Sequence, residues 1–166
     1  YSVWFKVCGN FGTARDLFFC GTQDECMLSN SPTDTIDWFT ENASARKITN
    51  RVFRDVGAWY HAVFVMDTTL ATAGDRMKLY INGVLESTLS APGLSIGTNN
   101  LDLLFGMQDD GAGRYNGDLD EVRIMDVAIS EAEVLVLSSV LPADTDGDGV
   151  ADSIDAFPLD PSEWED

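Results

Sequence analysis

Positive charge is scarce in this 166-residue chain: ten Lys and Arg stand against 28 Asp and Glu, a net charge of −18. A surface so acidic repels phosphate backbones, which argues against nucleic acid as a partner and favours divalent cations. Cysteine is scarce too. Cys8, Cys20 and Cys26 are an odd number in a chain of ordinary size, so they make no disulfide framework. At most one pair forms, for which Cys20 with Cys26 closing a short turn is a candidate, and at least one cysteine is expected to be a buried free thiol. There is no CxxC, so zinc and redox readings fail. No apolar run approaches the ~18–20 residues of a membrane span, so no membrane insertion is expected, and no signal peptide is present. The chain opens without Met on a strand-like run, so it reads as a processed piece of something longer. Its only histidine, His61, has no serine or cysteine motif beside it to suggest a triad, and is expected to be a structural strand residue.

What the chain does have is apolar substance, 45% of its residues, arranged with a period of two. Tyr1, Val3, Phe5 and Val7 share one face of the first run. Further short runs follow at 16–20, 26–28, 35–39, 46–50, 59–66 and 77–81, then 84–89, 101–105 and 119–125. Asn82-Gly83 is the strongest hairpin signal, since both central positions of a type I′ turn need positive φ. Many short strands separated by turns predict an all-β fold, an antiparallel two-sheet jellyroll sandwich. One helix is expected. Ser130 and Glu133 form a capping box ahead of Val134-Leu-Val-Leu137, starting a helix of about ten residues that plugs one end of the sandwich. The strand pattern stops after Leu141-Pro142, which puts a domain boundary between 1–141 and 142–166; no internal repeat is seen before it.

The second segment carries nine acidic residues and no Lys or Arg, half of the whole charge excess. Within it Asp144, Asp146, Asp148, Asp152 and Asp155 fall at positions 1, 3, 5, 9 and 12 of a loop. Glycine stands at position 6, and the Val150 carbonyl is available at position 7. A hard cation wants six to eight oxygens, and alternate residues of a tight loop reach one centre only where glycine allows the bend. The expected occupant is Ca²⁺ in an irregular linker. Two prolines in Ala156-Phe-Pro-Leu-Asp-Pro161 forbid the helix that an EF-hand would place next. The segment therefore resembles a bacterial thrombospondin type 3 repeat, whose calcium loops are joined by an Asp-Ala-Phe-Pro-x-Asp-Pro spacer. Asp155-Ala-Phe-Pro-Leu-Asp-Pro161 matches that spacer, and Asp166 would open the next loop. The resemblance implies further calcium repeats of the same polypeptide as neighbours.

Trp59-Tyr-His-Ala-Val63, Met77-Lys-Leu-Tyr-Ile-Asn-Gly-Val84, Asn116-Gly-Asp-Leu-Asp-Glu-Val-Arg-Ile124 and Ala128-Ile-Ser-Glu-Ala-Glu-Val134 occur in order. In this order and spacing they resemble the laminin-G-like, pentraxin-like family of concanavalin-A-like jellyrolls, over roughly residues 1–137. The family normally has a strand before the position of Tyr1, so a strand is expected to be missing or supplied by a strand-sharing neighbour. The disulfide of pentraxins is absent. Pentraxins hold calcium, and through it their ligands, with side chains from two loops. The resemblance implies that Asp24, in a Gln23-Asp-Glu25 loop, joins Asp109 and Asp110, with Gln108 adding a carbonyl.

No paired-carboxylate motif for glycoside cleavage is present. Asp118 and Asp120 would share a strand face while Glu121 points away, and the Glu-x-Asp-x-x-Glu pattern of the glycan-cleaving jellyrolls is missing. Among the four tryptophans, Trp4 and Trp59 are assigned to the core, and Trp38 is expected to be exposed as a sugar-stacking ligand contact. Together these readings describe a non-catalytic, secreted or cell-surface, calcium-dependent module that recognises carbohydrate or a cell-surface ligand. The alternative is a structural spacer of an extracellular assembly, completed by strand addition.

Overall fold

The computed structural model describes residues 1–9, 15–20, 24–28, 34–40, 45–86, 89–92, 103–107 and 114–139. Eleven strands are described: β1 (Ser2–Val7), β2 (Arg15–Cys20), β3 (Asp24–Leu28), β4 (Ile36–Thr40), β5 (Ala45–Ile48), β6 (Trp59–Met66), β7 (Met77–Ile81), β8 (Val84–Leu85), β9 (Leu89–Pro92), β10 (Leu103–Phe105) and β11 (Gly117–Arg123). One α-helix is seen among the described residues, α1 (Glu131–Ser138). The strands form two antiparallel sheets, β11-β1-β6-β7-β8 and β10-β2-β3-β4-β5-β9. The all-β sandwich with one short helix is thus as expected. The boundary near 141 and the acidic linker lie outside the described residues.

Alternation along β1 sorts its side chains as the period of two demands. Val3, Phe5 and Val7 enter the core between the sheets, with Ala62, Phe64, Met77, Leu79 and Ile81 from the same sheet. Leu17, Phe18, Ile36 and Trp38 close that core from the opposite sheet, and Phe53 drops in from the 49–58 connection. Aromatic rings pack there edge to face, Phe5 against Phe53 at 5.3 Å and Phe64 against Phe18 at 5.1 Å between centroids. The Asn82-Gly83 turn has positive φ at both residues, +50° and +78°, as the hairpin signal required. Its return strand is shorter than the pattern implied. It ends at Leu85, and the chain crosses to pair β9 with β5 in the other sheet.

One expectation is corrected here. The helix does not plug an end of the sandwich. Ser130 caps it in a full capping box, and Val134 packs on Val63, Val65 and Tyr80, which face away from the main core. It therefore covers the outer face of the five-stranded sheet, because β6 and β7 carry apolar residues on both faces. β1 itself has no vacant side. It pairs with β6 along one side and β11 along the other, so no place for an added strand remains beside residues 1–8.

Candidate functional site

Where α1 leaves the outer face of the five-stranded sheet partly open, a cleft of about 100 Å³ lies between its C-terminal half and β11. Its floor comes from alternation. Ser2 and Trp4 on β1 and His61 on β6 all point outward, opposite to Val3, Phe5 and Ala62. Its charged wall comes from a bulge. Ser2 pairs with Arg123 and Trp4 with Asp120, so β11 spends an extra residue between them. Glu121 takes up that residue at φ +48°, and its N–H is held by Asp120 Oδ1 at 2.7 Å. Regular alternation would have sent Glu121 to the other face. The bulge instead lets Glu121 and Arg123 line the cleft together. Arg123 Nε donates to Glu121 Oε2 at 3.0 Å, and Nη2 donates to the same oxygen. Val136 and Leu137 of α1 make the apolar rim.

His61 is buried, its ring 4.9 Å from that of Trp4. Its Nε2 shares a 2.7 Å hydrogen bond with Ser2 Oγ, while Nδ1 is buried without a partner. A serine–histidine contact of this kind invites comparison with a nucleophile and its base. The geometry does not complete the analogy, for no carboxylate orients Nδ1. Burial, with Arg123 adding, pushes the imidazole down to about 4, so it is neutral at physiological pH. The linkage has a definite sign. The unfolded state takes up this proton near 6.5 and the folded state only near 4, so stability falls as pH drops through that window. The loss should reach about 3 kcal/mol at full burial, measured as a falling urea midpoint, and His61→Gln should flatten the curve between pH 7 and 5. An unchanged slope in that variant would refute the assignment.

Beside the cleft, Lys6 Nζ sits 5.9 Å from the centre of the half-buried Trp59 ring. Trp4 is buried as expected, but it and the half-buried Trp59 lie on the outer face of the five-stranded sheet. Cys8 is a free, exposed thiol, 3.9 Å from Asp118 Oδ2; burial and that carboxylate raise its pKa. Cys20 and Cys26 are not cross-strand partners, since Cys20 faces Asp24 and Cys26 faces Phe18.

A family profile described as the concanavalin A-like lectin/glucanases superfamily, of laminin G type, matches residues 1–135. The chain belongs to that superfamily. Among solved structures this lectin-like domain is similar to the native heptameric SAP-like pentraxin from Limulus polyphemus. The identity is 18%, over 82% of this chain and 68% of that one, with a TM-score of 0.58. That likeness is one of fold. No curated protein matches. The superfamily description spans lectins and glucanases, so the residues themselves must carry any finer reading.

The structure places the site residues of the lectin-like domain unevenly. Trp38 is 2% exposed and packs edge-on against Phe64 at 5.5 Å, so it is a core residue and no ligand platform. Ile36 and Trp38 both point inward by alternation. Asp24 does not sit in a loop; it opens β3 opposite Cys20. Leu103 enters β10 at that same end of β2, whereas Gly106, beyond the strand, binds Leu17 O at 3.2 Å, near the other end. Gln108, Asp109 and Asp110 themselves lie outside the described residues. So do Asp144, Asp146, Asp148, Val150, Asp152 and Asp155. Among the described residues no three His, Cys, Asp or Glu side chains are grouped to hold a metal, and no helix there is long and apolar enough to cross a membrane.

Proposed function

We propose that this domain is a non-catalytic recognition module for carbohydrate or a cell-surface ligand, working outside the cell with calcium bound in the adjoining acidic segment. The observation that carries the reading is the match of residues 1–135 to a lectin-type sandwich. Calcium is supported by the chemistry of the donor set. Asp144, Asp146, Asp148, Asp152, Asp155 and the Val150 carbonyl offer only oxygen, at the spacing of a closed loop. When bound, the ion supplies charge neutralisation, and the tail becomes a stiff joint to whatever follows. Without it, five carboxylates in twelve residues repel one another.

The test is calorimetric titration of the whole chain with Ca²⁺, followed by a glycan array with and without EGTA. One or two sites should bind, and Asp146→Ala with Asp148→Ala should abolish the calorimetric signal in the tail. The thermal transition of the sandwich should stay within about 2 °C of the parent, because the sandwich has a core of its own. Absence of calcium binding, or of any calcium-sensitive glycan signal, would overturn the proposal.

A further inference from the structure

We propose that the cleft between the β11 bulge and α1 is a second, calcium-independent contact, taking one arm of a neutral sugar residue; this rests on the lectin reading of the fold. Size sets the scale. A cleft of about 100 Å³ has room for roughly three waters, so it takes a hydroxymethyl or acetamido arm with the ring left outside on Val136. Val136 is 65% exposed, an apolar surface on which the ring's C–H face can rest.

Polarity selects the ligand class. The Glu121–Arg123 pair runs through Oε2, Nε and Nη2, which leaves Glu121 Oε1 to accept and Arg123 Nη1 to donate. An acceptor and a donor lining one cleft suit groups that both give and take hydrogen bonds, as sugar hydroxyls and amides do. An anion is disfavoured: Arg123 is already neutralised by Glu121, and the chain as a whole carries −18. The floor fits the same ligand. Trp4 and the neutral His61 line it, and Ser2 holds His61 in place at 2.7 Å.

Backbone strain points to this spot independently. A glutamate at φ +48° lies in a region that costs energy for any residue with a Cβ, and such outliers cluster where a side chain must be aimed. Without the bulge, Glu121 would face away and the cleft would lose its acceptor. No carboxylate other than Glu121 lines the cleft, and Arg123 holds that one, so no cation is needed.

The experiment is an NMR titration of the whole chain in excess EGTA with the methyl glycosides of glucose, galactose, mannose and N-acetylglucosamine. At least one glycoside should shift the Trp4 indole, His61 ring and Arg123 guanidinium signals together, with a Kd of about 1 mM. Glu121→Ala with Arg123→Ala should weaken that binding about tenfold or more. Val136→Trp, at an exposed position that leaves the bulge intact, should block it by filling the rim. Shifts that survive both variants, or none at these three residues, would refute the inference. Binding seen only when Ca²⁺ is restored would refute it while sustaining the recognition reading, and no binding under either condition would sink both.

Discussion

Phe5→Ala is expected to destabilise the protein by about 4 kcal/mol, read as a lowered denaturation midpoint at unchanged slope. Phe5 is fully buried at the centre of β1, the strand that both β6 and β11 clasp. Its ring stacks on Tyr60 at 5.4 Å and meets Phe53 edge-on at 5.3 Å, while Phe53 and Tyr60 meet each other at 5.0 Å. Removing one ring of a mutually packed trio leaves a cavity that two strands of fixed register cannot collapse to fill. A loss below about 1.5 kcal/mol would show that the 49–58 connection carrying Phe53 moves inward and that this core is softer than its packing implies.

Gly117→Ala should cost about 3 kcal/mol and damage the cleft as well. An added Cβ would drive into the Lys6 carbonyl oxygen far inside contact distance and come within 2.8 Å of Tyr115 Cε1. Neither obstacle can step aside cheaply. The Lys6 carbonyl belongs to the β1 backbone and accepts a hydrogen bond from Tyr115 Oη at 2.9 Å. Relief therefore requires opening the β1–β11 ladder, in which Val7 pairs with Gly117 and Lys6 with Asp118. Glu121 and Arg123 hang from the same ladder, so the Trp4 indole and His61 ring signals should shift even where the protein stays folded. A variant with parental stability and unmoved ring signals would show that β11 is not tied to β1 as tightly as the register indicates.

Strands were legible because their signal is local. A period of two, punctuated by turns, gives the runs that became β1, β6 and β7, and Asn82-Gly83 names its own turn type through the φ values it permits. The capping box of α1 was equally local, since Ser130 and Glu133 need only each other's backbone. Trp38 was misread for a complementary reason. Alternation says which residues share a face but not which face is inside, and that choice belongs to the partner sheet carrying Phe64. Asp24 shows the same limit, since a loop or strand assignment at its position turns on where β2 reverses.

By itself, then, the sequence determined the class of fold, most of the strands, the hairpin turn, the helix cap and the all-oxygen chemistry of the acidic tail. Each depends on residues within about a dozen positions of one another. Only the tertiary structure decided the cleft. Ser2 meets His61 across 59 positions, and β11 meets β1 across more than a hundred. The bulge that turns Glu121 and Arg123 together onto the outer face exists because strand pairing forces one extra residue into the ladder. Alternation alone would have pointed that carboxylate to the opposite face, for a strand's period is broken only by the strand it pairs with.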